Sequence, residues 1–170
     1  MKWLKIIGFT FLVLLLLFFS LGIFVPSYEY QSIVSVNAPR EKCWKIYHNP
    51  ALMGQWMPGF ESLALKKGDS LAIGSEYEIV IVDGERMVMQ ERITALTPTR
   101  SVSYELTNDV LRSEYTFYFE GEDTTQIRAE YTVTGNNLVW KSILFVFKGG
   151  LSSSSQEQLI SLKRVIEQQP

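Results

Sequence analysis

Five stretches in the middle of the chain alternate apolar and polar side chains with period two: Gly74 to Val82, Glu85 to Leu96, Ser101 to Thr107, Leu111 to Glu120 and Thr125 to Thr134. Successive side chains of a strand point to opposite faces, so runs of this kind bury one face and leave the other in water. The separators are turn chemistry: Asp83-Gly84 is a tight-turn dipeptide, Thr97-Pro98 a breaker, Asn108-Asp109 a turn pair and Gly121 to Thr124 a polar loop. An antiparallel meander is the expectation. Its apolar face reads Tyr77, Ile79 and Ile81, then Met87, Met89, Glu91 and Ile93, then Val102, Tyr104 and Leu106, then Tyr115, Phe117 and Phe119, and finally Ile127, Ala129, Tyr131 and Val133. On the other face Glu76, Glu78, Arg92, Glu105, Arg112, Glu114, Arg128 and Glu130 supply opposite charges that can pair across strands and hold register.

An apolar sheet face must be covered. Ahead of the meander, "SIVSV" (Ser32–Val36) alternates and then gives way to helical spacing, with Pro39 suited to a first turn and Trp44 and Tyr47 three apart. Asn49 is placed to cap a second short helix that starts at Pro50 and ends near Gly54. After the meander, "LVWKSILFVF" (Leu138–Phe147) is apolar nearly all round, and Leu159, Leu162 and Ile166 resume at helical spacing. A long final helix lying across a curved sheet accounts for both. Gly149-Gly150 and Ser152 to Ser155 are poor helix formers, so a kink or loosened turn is expected there.

Residues Trp3 to Val25 carry one charge, Lys5, and Pro26 ends the run. At 1.5 Å per residue such a helix spans a hydrocarbon layer of roughly 30 Å. Residues 1–26 therefore read as a transmembrane anchor and residues 27–170 as one folded domain. Lys2 and Lys5 precede the run, whereas Glu29 follows it before any basic residue. The positive-inside rule then puts the N-terminus in the cytoplasm and the domain outside the cell membrane. The alternative is export after signal cleavage, for which Ser20-Leu21-Gly22 offers small residues at an acceptable spacing.

Charge and composition exclude several classes. A net charge of −2 without a dense Lys/Arg stripe lacks the footprint of a nucleic-acid binder. With one cysteine, Cys43, and one histidine, His48, neither an intrachain disulfide nor a multi-ligand Cys/His metal site can be built. No cofactor motif is present.

The order of elements, one strand, two short helices, a meander and a long final helix, resembles the START-like (SRPBCC) superfamily, in its polyketide cyclase/dehydrase and lipid-transport branch, over roughly Tyr30 to Gln168. The resemblance is carried by "VSVNAPREKCWKIYHNPALMGQW" (Val34–Trp56), "ERITALTPTRSVSYEL" (Glu91–Leu106), "TFYFEGEDTTQIRAEYTVTG" (Thr116–Gly135) and "LISLKRVIE" (Leu159–Glu167). It implies an α+β helix-grip fold with a hydrophobic cavity between sheet and final helix, used for lipid carriage, small-molecule binding, polyketide cyclisation or protein contacts. No catalytic motif of the family matches residue by residue, and the N-terminal apolar segment departs from the soluble members.

Glu91 is the conspicuous residue, because it shares a strand face with Met87, Met89 and Ile93. An ionised group there needs a partner or a cavity, since unpaired burial is costly. A hydrogen bond to Tyr104 or Tyr115, or to a ligand head group, would satisfy it, as would water at a cavity rim. Tyr77, Met89, Glu91, Tyr104, Tyr115, Phe117, Tyr131 and Trp140 are the expected lining of a cavity for a lipid or other hydrophobic small molecule. Glu91 is also the candidate general acid/base of a cyclase- or dehydratase-type enzyme, and a third reading is a protein-interaction module with a filled cavity. Trp56 and Phe60 are placed either to close one end of a cavity or to serve as core aromatics. His48 has no acidic or nucleophilic partner in any motif, and Cys43 reads as a small buried hydrophobe.

Overall fold

The alternating stretches form a single seven-stranded antiparallel sheet in the computed structural model, which describes residues 2–169. Helix α1 (Lys2–Phe24) leads into β1 (Ser27–Val36), then α2 (Arg40–Tyr47) and α3 (Pro50–Trp56). The meander runs β2 (Phe60–Lys67), β3 (Glu76–Asp83), β4 (Glu85–Thr97), β5 (Ser101–Thr107), β6 (Leu111–Glu120) and β7 (Thr125–Gly135), and α4 (Leu138–Gln168) closes the chain. Strand order is β1-β7-β6-β5-β4-β3-β2, so every meander pair is a hairpin neighbour and only β1 joins by a long connection. The helix-grip arrangement is present, with α4 across the inner face.

Local chemistry explains the boundaries. Gly84 takes φ 75° in the β3–β4 turn, a conformation open to glycine at little strain. Asn49 caps α3 as expected, its side chain accepting from the Ala51 N–H, and α3 runs on to Trp56, two residues past Gly54. Pro39 remains extended as the N-cap of α2 instead of entering its first turn.

Two differences from the sequence reading are physical. Strand β2 was not visible as an alternation because bulges at Phe60/Ser62 and Leu65/Lys67 break its register against β3 and leave it mostly exposed. Helix α4 runs through Gly149, Gly150 and the serine run as one continuous helix, where the sequence suggests a kink or loosened turn. Two glycines weaken a helix by about 1 kcal/mol each relative to alanine. Burial of Leu144 on one side of them and Ser155 and Leu159 on the other holds the helix through that stretch.

The core lies toward the second half of α4, where Leu159, Leu162 and Ile166 pack with Val36, Trp44, Phe119 and Ile127. On the wet face the expected charge pairs form: Arg92 to Glu105 at 3.3 Å, Arg112 to Glu105 at 2.8 Å and Arg128 to Glu120 at 3.0 Å. At the middle of α4, along Leu151, Ser154 and Gln158, a void opens between the helix and the sheet.

Candidate functional site: the cavity between sheet and α4

The void measures about 470 Å³ and is closed by Met53, Trp56 and Met57 around α3, by the inner face of the sheet, and by Leu151, Ser154 and Gln158 of α4. Its size is that of a small-molecule site. Of the expected lining, Met89, Glu91, Tyr104, Tyr115, Phe117 and Tyr131 reach its wall. Tyr77 and Trp140 do not. The Tyr77 hydroxyl is taken up by the Leu71 N–H at 3.0 Å, and Trp140 lies in a separate apolar recess between the first half of α4 and the sheet rim at Leu111 and Gly135. Of the two aromatics proposed to close one end, Trp56 lines the cavity and Phe60 does not.

Four tyrosines form a ladder across adjacent strands. Tyr30 of β1 pairs with Tyr131 of β7, Tyr131 with Tyr115 of β6, and Tyr115 with Tyr104 of β5. Their ring centroids are 4.7, 5.8 and 5.1 Å apart in that order. Register thus stacks one aromatic wall and turns a row of hydroxyls to the same side. Burial holds all four well protonated, so each is a hydrogen-bond donor at neutral pH.

Glu91 stands at the end of this wall. It is partly buried and accepts a hydrogen bond from the Tyr115 hydroxyl. Burial raises its carboxyl above the ordinary range, and the bond from Tyr115 offsets part of that rise. Sequence alternation had put this carboxylate on the inner face, and the structure supplies both a partner and a cavity.

His48 is the residue that motif reasoning passed over. Its Nδ1 lies 2.9 Å from the Trp44 carbonyl, which can only accept, so Nδ1 carries the proton. Nε2 is then left as an acceptor for the Tyr104 hydroxyl at 3.3 Å. Burial lowers the imidazole from 6.5 to about 4, so it is neutral at physiological pH. This contact joins residues 56 positions apart in the chain, and no local pattern announces it. Tyr30 was legible in principle, because the period of β1 continues back to it from Ser32. Cys43 is fully buried, and burial raises its thiol, which leaves it inert.

The cavity is chemically one-sided. Among the described residues no Lys, Arg or His lines it, and Glu91 is the one acidic side chain that does. An anionic head group would find no counter-charge inside, whereas an uncharged hydroxyl or carbonyl, or an amine, would meet tyrosine donors and a carboxylate. Among the described residues no three His, Cys, Asp or Glu side chains converge on a metal-sized site. A larger open groove of about 760 Å³ crosses the outer face of the sheet, but its Glu105, Glu114 and Glu130 are matched by Arg112 and Arg128. That groove is the solvated side of the sheet.

A sheet gripping a helix around an apolar, tyrosine-floored cavity defines a hydrophobic-ligand-binding fold. The chain belongs to the polyketide cyclase/dehydrase and lipid transport family, whose model matches residues 29–167. No curated protein matches it in sequence. Among solved structures it is similar to the di-domain ARO/CYC BexL (TM-score 0.67, 19% identity, 89% of this chain and 54% of that one). It is also similar to a conserved protein from Geobacillus kaustophilus (TM-score 0.67, 13% identity, 82% and 95%). The Zhui aromatase/cyclase from a Streptomyces species gives a TM-score of 0.61 at 14% identity over 82% and 96%. At these identities the likeness is one of fold.

Proposed function

We propose that this chain is a membrane-anchored binding domain that holds a hydrophobic small molecule or lipid in the cavity between its sheet and α4, with an uncharged or amine head group against Glu91 and the tyrosine ladder. The carrying observation is the cavity itself, apolar in bulk, lined by no cation and ending in the Tyr115–Glu91 pair. Anchoring is supported by α1, which is 23 residues long, carries no charge after Lys5 and is almost entirely uncovered by the rest of the chain. Its flanking charges favour a cytoplasmic N-terminus and a domain outside the cell membrane, with export after signal cleavage as the alternative. Tethering keeps the cavity beside a hydrophobic ligand source and raises the effective concentration of that ligand.

An enzymatic reading has a specific observation in its favour. Glu91 with a raised pKa and a Tyr104 hydroxyl bonded to neutral His48 are two proton-handling groups on one cavity wall. In that reading Glu91 is the general acid/base of a cyclisation or dehydration, and Tyr104 or Tyr115 donates to a developing enolate. A cavity of about 470 Å³ speaks against an interaction module filled by its own aromatics.

Native mass spectrometry of the full-length chain, extracted gently from its own membranes, separates these readings. Binding predicts a discrete apolar adduct that is lost on Glu91→Leu or Tyr115→Phe. Catalysis predicts that Glu91→Gln keeps the adduct and abolishes its conversion. A bare polypeptide in every preparation would overturn both.

A further inference from the structure

Strand register fixes the end of the molecule from which α1 departs. Ser27, just after α1, pairs with Thr134, and Leu111 pairs with Gly135, next to the start of α4. Thr107 ends β5 opposite Arg112, and Met87 lies opposite Ile81 near the β3–β4 turn. One rim of the sheet therefore collects the α1 junction, the start of α4 and the β3–β4 and β5–β6 turns. The main core lies toward the other rim, where Val36 pairs with Thr125.

The cavity reaches toward the α1 rim. Ile81, Met87, Leu106, Leu111 and Val133 form its wall there, while Glu91, Tyr104 and Tyr115 lie farther in along the same strands. An outer recess of about 340 Å³ between Trp140, Leu144 and Phe147 adjoins it, with Leu111 and Leu151 lining both. Apolar surface is thus continuous from the recess between α4 and the sheet rim to the cavity.

Helix α1 is locked to this rim. A Cβ on Gly22 would meet the Ser142 Oγ at 2.6 Å and the Leu138 carbonyl oxygen at 2.8 Å, so the last turns of α1 lie directly on the first turns of α4. Crossing a bilayer core takes about 20 residues, and counted from Trp3 the twentieth is Gly22. Leu138 and Ser142 then sit where α1 leaves the hydrocarbon. Just beyond, Val146 is 57% and Phe147 66% exposed, and Met87 and Val88 are exposed on the β3–β4 hairpin of the same rim. These side chains are left largely open by the described residues, and α1 adjoins them.

Resting on the membrane-spanning role proposed for α1, we infer that this rim is seated on the bilayer, and that the cavity opens through the recess beside Phe147 into the lipid phase and loads from it without passage through water. Asp83, Glu85 and Asp109 at the turns, with Arg86, Lys141 and Lys148 on the same rim, keep the contact shallow, since charged groups stay in the head-group layer.

Spin labels on the full chain in phosphatidylcholine vesicles test this. Leu14→Cys, Phe147→Cys and Ile160→Cys all replace exposed side chains, and fully buried Cys43 can stay in place, with the unsubstituted protein as the check that it takes no label. The expected result is that labels at 14 and 147 are relaxed by oxygen and shielded from a water-soluble nickel chelate, with the reverse at 160. Val146→Cys gives a second reading on the same face. Lipid contact at 14 with aqueous exposure at 146 and 147 would overturn the inference and leave the anchor standing. Aqueous exposure at 14 would overturn both.

Discussion

The first half of α4, Leu138 to Leu151, and the second, Ser155 to Gln168, belong to one unbroken helix and meet different surroundings. In the second half, Leu159, Leu162, Val165 and Ile166 make a narrow buried stripe, and the remaining positions are largely polar. In the first half apolar residues go all the way round, yet Leu144 is the one large side chain that is buried, while Val146 and Phe147 stand open. A stripe marks a helix that has found its core. An all-round apolar helix with half its surface uncovered marks a helix with a second apolar neighbour besides the sheet, which is where the cavity mouth and α1 are placed.

The comparison is most easily broken by truncation. Leu162→Ala removes a fully buried side chain and is expected to lower stability by about 2–5 kcal/mol. Phe147→Ala in detergent should stay within about 0.5 kcal/mol. Denaturant unfolding of the full chain in micelles measures both, and equal losses would erase the distinction between the halves. Gly22→Leu has the next largest effect: overpacking against Ser142 is expected to cost about 1–3 kcal/mol. Hydrogen exchange should then show lost protection around Leu138 to Ser142 with the second half of α4 unchanged.

Two titrations sharpen the same picture from inside the cavity. The Glu91 carboxyl is raised by burial, so the folded state binds its proton more tightly than the unfolded state; stability is fullest below the unfolded value and declines as pH rises through the folded one. His48 is lowered to about 4 from 6.5, so stability is fullest above 6.5 and declines as pH falls toward 4. The two slopes oppose each other. Glu91→Gln should steepen the loss on acidification between those limits, and His48→Gln should flatten or reverse it, as read from unfolding midpoints across pH. The smallest effect belongs to the wet face, where Arg112→Ala breaks exposed pairs to Glu105 and Glu114 and should cost at most about 1 kcal/mol, less in high salt.

Much of the fold was legible because most of its strands alternate and its turns use residues with defined conformations. The inward set from Ile79 to Val133 needed no tertiary information, and six of eight expected lining residues reach the cavity wall for that reason. Tyr77 and Trp140 were misplaced because face does not fix depth: the Tyr77 hydroxyl turns to the Leu71 N–H, and Trp140 sits about three turns before Leu151, the first α4 residue on the cavity wall. The missed parts depend on long-range contacts. β2 hides behind bulges, the Tyr104–His48 bond joins elements far apart in sequence, and α4 survives two glycines through packing that its own residues do not encode.

The most direct test of the cavity as a binding site is photolabelling of the full-length chain in vesicles with a long-chain alcohol carrying a diazirine, followed by peptide mapping. A ligand held between sheet and α4 predicts label on Met53 to Met57, Ser113 to Phe117 and Leu151 to Gln158, reduced by Glu91→Leu, with α1 labelled from the bilayer in both proteins. Label confined to α1, with none on the cavity walls, would contradict it.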